Sequence, residues 1–368
     1  MQIDSKILKT DEKVAYSLRE LYNRFGYSRY KMSKFEEYAL YVKNKDFLVS
    51  DGIISFTDTN GRLLALKPDV TLSIINNSKD IPGKTEKLYY DENVYRISGS
   101  THSFKEIKQT GLECIGDVGF FEICEVVLLA VKSLEKISEN FIFEISHVGF
   151  LESVLKELIK KPDDVSKIIS FISKKSDDEL KLYIKNQGLD DEIFEKLSVF
   201  TKTYPDFKTA EKALEALEVG AEAKEKLNEF KNVLSFISDL KLEDRVRVDF
   251  SLTNTMNYYS GIAFKGYVEG VPTSVLSGGQ YNKLMQKMGR SSGAIGFAVY
   301  LDTLERLNLN KNEFDTDVLL VHGSDVVSAY KKAEELVNKG LSVKVSAQKD
   351  ENITYKQILT LNERGEWE

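Results

Sequence analysis

The sequence predicts an α+β fold in which helices flank a largely antiparallel sheet, with a helical insertion and a small C-terminal α/β unit. Short β-like runs and helices follow one another without regular βαβ alternation, which favours an antiparallel sheet. Residues from about 149 to 242 are rich in Lys and Glu, with Leu, Ile and Phe at three- and four-residue steps, as is typical of a helical bundle. Residues 313–368 have room for one βαβ unit and a little more.

The first part of the core begins with a predicted helix. Apolar residues recur at helical spacing from Val14 to Phe25, and Gly26 follows as a C-terminal cap. Asn60 and Gly61 separate two β-like runs, a combination that predicts a hairpin. Strands are predicted at residues 53–56, 62–66, 87–91, 94–97 and 109–115.

The rest of the chain continues this alternation. Residues 211–240 carry the clearest amphipathic helix pattern of the insertion. Strands are predicted at residues 246–250 and 261–267, a glycine turn at 277–281 and a helix at 300–307. In the C-terminal unit, the predicted elements are a strand at 318–321, a helix at 326–338 capped by Gly340, and a strand at 342–345. We therefore expect a core at residues 1–312 and a separate unit at residues 313–368.

The bulk composition narrows the class of protein. The chain has 368 residues, of which 42% are hydrophobic and 30% charged, as is usual for a globular protein. A net charge of −7 argues weakly against tRNA as an obligate partner, because nucleic-acid binders usually carry a basic patch. The sequence shows no signal peptide and no run of about eighteen apolar residues. We expect a cytoplasmic protein that binds neither nucleic acid nor membrane.

The cysteines and histidines give no sign of a metal centre. Cys114 and Cys124 are the only cysteines, and their apolar neighbours predict a buried, reduced pair. His102, His147 and His322 are far apart and lack the spacing of metal ligands. We therefore expect neither a metal nor another cofactor.

Three polar residues have the chemistry of an amino-acid pocket. Such a pocket needs anions for the α-ammonium, and an imidazole needs a carboxylate on one nitrogen and a hydroxyl or second acceptor on the other. Asp69 offers a carboxylate after a predicted strand. Gln109 and Glu113 lie four residues apart on another strand, so both side chains point to the same face. Gly111 lies between them and has no side chain, so it allows another group to approach the strand closely.

Two further pairs belong to the same candidate site. Tyr258 and Tyr259 supply phenols, and Gly278 and Gly279 allow backbone to approach a ligand. Taken singly, each signal has a structural alternative. A strand Glu is usually exposed, a Tyr pair more often belongs to a core, and a Gly pair usually forms a turn.

The order of the segments resembles the core of the histidyl-tRNA synthetases, which are class II aminoacyl-tRNA synthetases. The segments are Leu-Lys-Pro-Asp-x-Thr at 66–71, Tyr-Tyr-Asp-Glu-Asn-Val-Tyr-Arg at 89–96, Gln-x-Gly-x-Glu-x-x-Gly-Asp at 109–117, Tyr-Tyr-Ser-Gly-Ile-Ala-Phe at 258–264, Ser-Gly-Gly-Gln-Tyr-Asn at 277–282 and Ala-Ile-Gly-Phe-Ala at 294–298. The resemblance spans about residues 10–307, interrupted by the insertion. It implies a class II synthetase-like antiparallel sheet flanked by helices.

The resemblance also implies a role for each matching residue. Asp69 and Gln109 are expected to hold the ammonium of a histidine ligand, and Glu113 and Tyr259 to face its imidazole. Arg96 matches the arginine that holds the ATP α-phosphate, here as a vestigial phosphate-binding residue. The remaining pocket residues are Tyr258, Tyr281, Gly278 and Gly279.

Departures from the synthetase pattern remove phosphate-handling arginines. Asn254 stands where the family has the arginine before Gly-Leu-Asp-Tyr-Tyr, and Thr303 where it has the arginine of the third class II motif. Ser103 occupies an arginine position in the loop of the second motif, and Ser33 the proline position of the first. Adenylate formation requires fixed cations on the polyphosphate, so we expect it to be negligible.

A synthetase-like chain with these losses resembles the regulatory subunits of ATP phosphoribosyltransferase. That family has no chemistry of its own and assembles with a short catalytic subunit at the first step of histidine biosynthesis. The resemblance implies L-histidine as the effector and self-association as a dimer. The alternatives are a true histidyl-tRNA synthetase and a stand-alone paralogue that binds another amino acid.

Overall fold

The computed structural model describes residues 8–48, 52–79, 81–97, 103–255, 258–307, 314–322, 325–362 and 367–368. Of residues 253–255 and 305–306 it describes the backbone only. The chain divides into two compact units, Met1–Leu307 and Asn308–Glu368.

A nine-stranded sheet organises the first unit. Its strands lie in the order β1-β5-β6-β12-β11-β10-β7-β9-β8, and neighbours are antiparallel except for the pairs β1–β5 and β7–β9. The strands are β1 (Ser28–Arg29), β5 (Thr85–Ile97), β6 (Phe104–Gly116), β7 (Phe141–His147), β8 (Thr203–Tyr204), β9 (Val246–Asp249), β10 (Ile262–Val268), β11 (Leu276–Gln280) and β12 (Gly293–Tyr300). The predicted α+β class with a mainly antiparallel sheet is confirmed.

Helices pack on both faces of this sheet, and a cavity opens over the centre of one of them. The core helices are α1 (Thr10–Arg24), α2 (Tyr38–Lys43), α3 (Val70–Asn77), α4 (Phe120–Ile137) and α11 (Asn282–Lys287). Helix α4 packs closely on β10 at Gly266. A Cβ at this position would lie only 2.6 Å from the side chain of Leu134, so the close approach requires glycine. Two of the apolar residues that predict α1, Leu18 and Tyr22, are fully buried, and Leu21 is partly buried.

A small three-stranded sheet lies beside the start of α3. Strands β2 (Phe35–Glu37), β3 (Ser55–Thr57) and β4 (Leu63–Leu66) form it in the order β2-β4-β3. The hairpin predicted from Asn60 and Gly61 joins β3 to β4. Asp58 Oδ1 accepts hydrogen bonds from the backbone N–H of Asn60 at 2.8 Å and of Arg62 at 2.9 Å, and Gly61 adopts a φ of +82°.

The insertion is helical, as its Leu and Ile spacing predicts. It contains α5 (Val148–Leu158), α6 (Pro162–Ser173), α7 (Asp177–Asn186), α8 (Asp191–Ser198), α9 (Phe207–Glu215) and α10 (Ala221–Asp239). Pro162 starts α6 at a position that needs no N–H donor, and Asp206 caps α9 by accepting from Thr209 N at 2.8 Å. His147 ties the insertion to the sheet, since its Nδ1 accepts from Phe150 N and its Nε2 lies 3.2 Å from Glu229.

One local prediction was wrong. Residues 277–281 are not a turn: Gly278 and Gly279 lie inside β11, paired with both β10 and β12. The helix predicted at 300–307 is present as a 3-10 helix at Leu301–Leu307, directly after Tyr300 ends β12.

The second unit has a parallel sheet with one helix. It consists of β13 (Thr316–Val321), α12 (Val326–Asn338), β14 (Val343–Ser346) and β15 (Tyr355–Thr360), with β13 central and parallel to both neighbours. Gly340 follows the helix with a φ of +82°, as its predicted cap role requires.

Candidate functional site

A cavity of about 490 Å³ opens over the centre of the large sheet. Its volume lies in the range of small-molecule sites, which runs from about 300 to 1,000 Å³. The predicted residues that line it are Asp69, Arg96, Gln109, Glu113, Tyr258, Tyr259 and Tyr281. Side chains from residues 69, 113 and 258, far apart in sequence, thus meet in one cavity.

Glu113 on β6 is a buried acid in the wall of the cavity. Thr71 Oγ1 donates a hydrogen bond to its Oε1 at 2.8 Å, and the Tyr281 hydroxyl donates to its Oε2 at 2.5 Å. Burial nevertheless dominates and raises the pKa of Glu113 to about 8. The carboxyl group is therefore mostly protonated at neutral pH, and a cationic or N–H-donating ligand would favour its ionisation.

Gln109 lies on the same face of β6 as Glu113, as the four-residue spacing predicts, and is 3% exposed. Gly111 between them permits the packing predicted for it. A Cβ there would lie 2.1 Å from the carbonyl oxygen of Phe297 and 2.6 Å from the hydroxyl of Tyr90. The strand can therefore lie flat beneath the cavity only with glycine at this position.

Asp69 lines the cavity and also interacts with two other residues of the protein. Its Oδ1 accepts from Leu72 N at 2.9 Å and so caps α3, while its Oδ2 lies 4.0 Å from Arg96. Burial raises the pKa of Asp69, and the guanidinium of Arg96 and the backbone N–H groups of α3 act against that rise. Asp69 keeps an oxygen oriented towards Arg96 and the cavity.

Arg96 is the residue matched to the α-phosphate arginine. Its Nε donates to the carbonyl oxygen of Pro68 at 2.9 Å, and its charge is balanced by Asp69. The guanidinium is therefore held against the turn that carries Asp69.

The three predicted tyrosines form an aromatic wall. The ring centroids of Tyr258 and Tyr259 are 5.0 Å apart, and those of Tyr258 and Tyr281 5.9 Å apart. Burial raises the pKa of each phenol, so all three are neutral donors at neutral pH. Phe47 packs against Tyr258 with a centroid distance of 6.3 Å and extends the wall.

Gly278 and Gly279 do not line the cavity, contrary to the expectation that they bring backbone close to a ligand. A Cβ at Gly278 would lie 2.4 Å from the Cβ of Phe297, and one at Gly279 would lie 2.9 Å from Cδ1 of Tyr259. Both glycines instead let side chains pack closely: Phe297 beneath the sheet and Tyr259 above it.

Several residues that line the cavity were not predicted from the sequence. They are Asp46, Phe47, Leu48, Val70, Thr71, Tyr90, Lys265, Ser274, Ser277, Gly296, Phe297, Ala298 and Tyr300. Strand periodicity places Lys265, Ser277, Gly296, Ala298 and Tyr300 on the cavity face. The side chain of Phe297 points to the opposite face, and Ser274 precedes β11. The sequence feature that could have predicted this part of the cavity is Lys265, a charged residue at one of these inward-facing positions.

The positions that depart from the synthetase pattern supply no arginine to the described part of this site. Thr303 donates its hydroxyl to the carbonyl oxygen of Tyr300 at 2.6 Å, within the 3-10 segment. Ser33 Oγ accepts from Phe35 N at 3.2 Å. Ser103 is exposed at the start of the second long strand. The side chain of Asn254 lies outside the described residues.

The described residues contain no group of three His, Cys, Asp or Glu side chains that could hold a metal ion. Cys114 and Cys124 are free and buried, and burial raises the pKa of their thiols to about 12 and about 11. His147 is buried in the insertion contact, and His102 lies outside the described residues. Across the described ranges, no helix is both long enough and apolar enough to cross a membrane.

A family model described as histidyl-tRNA synthetase matches residues 4–304, which is most of the chain. Among curated proteins, the ATP phosphoribosyltransferase regulatory subunit of Clostridium botulinum (strain Langeland) is 28% identical over 360 residues, covering 94% of this chain and 84% of that protein. The histidine–tRNA ligase of Methanocaldococcus jannaschii is 27% identical over 352 residues, covering 94% and 82%.

Solved structures share the fold. An ATP phosphoribosyltransferase regulatory subunit/histidyl-tRNA synthetase from Bacillus halodurans superposes with a TM-score of 0.74 at 22% identity, covering 95% of this chain and 93% of that one. A chain of the ATP phosphoribosyl transferase complex from Thermotoga maritima superposes with a TM-score of 0.63 at 21% identity, covering 82% and 98%. Both likenesses support the class II synthetase-like fold.

Proposed function

The chain belongs to the histidyl-tRNA synthetase family, and within it we propose that this protein is a non-catalytic regulatory subunit of ATP phosphoribosyltransferase. One observation carries the proposal: the cavity holds a buried carboxyl group at Glu113, whereas Asn254 and Thr303 stand where the synthetases have phosphate-handling arginines. Glu113 has two hydroxyl donors, while the remaining phosphate-type arginine, Arg96, is paired with Asp69. The similarity to relatives named as regulatory subunits supports the same reading.

The proposed effector is L-histidine, bound in the cavity over the large sheet. Glu113 and Tyr259 face its imidazole, and Asp69 and Gln109 hold its ammonium. The Tyr281 hydroxyl is already committed to Glu113, so this phenol orients the carboxyl group rather than contacting the imidazole. Tyr258 closes the aromatic wall over the ligand.

We further propose that the chain does not form an aminoacyl adenylate. Each charge-assisted hydrogen bond lost from the phosphates costs on the order of 1.5–3 kcal/mol. Loss of the arginines at positions 254 and 303 therefore removes several powers of ten in rate, since each ~1.4 kcal/mol of barrier is a factor of ten. ATP is not expected to bind productively.

The proposed partner is a short-form catalytic subunit in the cytoplasm, and the chain is expected to self-associate as a dimer without binding nucleic acid or membrane. Histidine would favour one quaternary arrangement over another, which requires different affinities for the two states, typically by about 1–3 kcal/mol. We assign this role to the core at residues 1–312 and treat residues 313–368 as a separate unit.

The proposal is tested by measuring phosphoribosyl-ATP formation with a short-form catalytic subunit from the same source, with and without this chain, under titration with L-histidine. We expect activity that requires the chain and falls as histidine rises. Activity independent of the chain would contradict the regulatory role, and a stand-alone amino-acid-binding paralogue would then be favoured.

The similarity to a histidine–tRNA ligase makes aminoacylation the second candidate. It is tested by histidine-dependent exchange of pyrophosphate into ATP and by transfer of histidine to tRNA, with an active histidyl-tRNA synthetase as the positive control. We expect neither reaction above background. Exchange at a rate comparable with the control would establish a ligase.

A further inference from the structure

Gly296, Ala298 and Ser277 are small residues that form the floor of the cavity, and they belong to two rows of paired positions across the sheet. In one row across four strands, Glu113 lies opposite Gly296, Gly296 opposite Gly279, and Gly279 opposite Ala263. In the next row the partners run in the same order from β6 to β10: Gly111, Ala298, Ser277 and Lys265. A ligand can lie flat on this floor, with Glu113 at one end and Lys265 at the other.

Among the described residues, two cations line the cavity, Arg96 and Lys265, and they differ in their partners. The guanidinium of Arg96 donates to Pro68 O and lies 4.0 Å from Asp69. The ammonium of Lys265 makes no hydrogen bond or ion pair within 4.0 Å in the part of the chain that the structure describes, although the side chain is half-buried. Glu144, its partner in the β7–β10 ladder, interacts with it only through longer-range electrostatics.

Groups around Lys265 add hydrogen-bond donors for an anion. Ser277 is its direct partner on β11, and Ser274 lies in the same wall. Burial raises the pKa of Tyr259 and of Tyr300, so both phenols keep their protons, while a hydrogen bond with Ser277 acts in the opposite direction. Ammonium, serine hydroxyls and neutral phenols are all donors that a carboxylate can accept from.

We infer that Lys265 receives the α-carboxylate of the amino-acid ligand, in place of the arginine missing at position 254. This inference rests on the proposed function, because it takes the other end of the ligand to lie at Glu113 and Asp69. The cavity then has acids at one end and, at the other, an ammonium without a close counterion among the described residues, which matches the charges of a zwitterion. Strands β6 and β10 are three strand spacings apart, roughly 14 Å, and long side chains from both sides shorten that gap to the scale of one amino acid.

The test compares L-histidine with histamine, which has the same imidazole and ammonium but no carboxylate. Binding is measured by calorimetry on the full chain and on three variants: Lys265→Met, Lys265→Arg and Lys202→Met. Lys202 is exposed and lies outside the cavity, so it serves as the control. The Lys265→Arg variant keeps the positive charge. If Lys265→Met loses affinity for L-histidine and Lys265→Arg does not, the loss comes from the missing charge and not from a damaged fold.

We expect the wild-type chain and Lys202→Met to prefer L-histidine to histamine by roughly 10- to 100-fold, the loss typical of one charge-assisted bond. Lys265→Met should bind both ligands about equally, with its histamine affinity unchanged, and Lys265→Arg should keep most of the preference. A Lys265→Met chain that retains the full preference would overturn the role of Lys265 and leave the proposed function standing. Absence of L-histidine binding by the wild-type chain would overturn both.

Discussion

Gly296 lies directly opposite Glu113 in the β6–β12 ladder, and a Cβ at position 296 would lie 1.8 Å from Glu113 Oε2. The same Cβ would lie 2.5 Å from the carbonyl oxygen of Leu112. The carboxyl group of Glu113 therefore leans across β12, and it can do so only because residue 296 has no side chain. Thr71 and Tyr281 then hold it in that place from two other elements.

Gly296→Ala should displace Glu113 and remove the polar end of the cavity. We expect a loss of about 1–3 kcal/mol of stability from overpacking, together with loss of histidine binding. Thermal unfolding and calorimetry measure the two effects. Gly293→Ala, on the same strand, is the control, because its Cβ would come no closer than 3.2 Å to another atom, at Val118. If the two variants have the same stability and the same histidine affinity, the close approach of Glu113 to position 296 does not require glycine.

Glu113→Gln should change how stability depends on pH. Burial raises the pKa of Glu113 from 4.5 to about 8, so the folded protein keeps a proton that the unfolded chain loses near pH 4.5. Between these values the folded state binds more protons, and its stability falls as pH rises, by up to about 1.4 kcal/mol per unit. Gln mimics the neutral acid, so the variant should gain stability relative to wild type from pH 5 to pH 8. Unfolding midpoints measured across this range would contradict the assignment if the difference stayed constant.

Glu92→Gln should be more destabilising than most charge removals. The Lys67 side chain is 1% exposed and its ammonium donates to Glu92, so the substitution leaves a buried charge without its counterion. Breaking such a pair costs about 3–5 kcal/mol. The double variant Lys67→Met/Glu92→Gln should recover part of this loss, because it removes the buried charge.

Urea denaturation measures these changes, with Glu192→Gln as the control. Glu192 pairs with Lys196 on the surface, with its side chain 68% exposed, and its loss should cost less than about 1 kcal/mol. If the double variant is no more stable than Glu92→Gln, the ammonium of Lys67 is not the source of the penalty.

Asp249→Asn should loosen the attachment of the helical insertion to the sheet. Asp249 at the end of β9 is fully buried, and its Oδ2 accepts from Lys175 Nζ at 2.5 Å and from Thr203 Oγ1 at 2.7 Å. These hydrogen bonds outweigh the opposing effect of burial and lower the pKa of Asp249. The stabilisation is therefore complete above its unfolded pKa and is lost as pH falls through the lower folded value.

The variant should unfold at a lower temperature than wild type at pH 7, and the gap should narrow below about pH 4, where the unfolded-state carboxyl begins to take up its proton. Circular dichroism at both pH values measures this. A gap that widens on acidification would show that the carboxylate is not the stabilising form.

Much of the fold follows from local signals in the sequence. The hairpin at Asn60 and Gly61, the first helix and the helical insertion depend on turn chemistry and periodicity, which act within a few residues. The alternation along β6 likewise places Gln109 and Glu113 on one face. The wrong predictions fell where short-range signals are ambiguous: a Gly pair fits a turn or a tightly packed strand, and only the neighbours of Gly278 and Gly279 distinguish the two.

The sequence by itself determined which chemical groups are available and which of them share a strand face, because these depend on residue type and on a two-residue period. Only the tertiary structure decided which groups meet. Glu113 and Gly296 become neighbours through strand order and register, and Arg96 reaches Asp69 through the turn before α3. The same register leaves Lys265 facing the cavity without a close counterion among the described residues. The alternation along a strand limits its register to positions that bury the apolar face, and for strands far apart in the chain the choice among these depends on packing across the sheet.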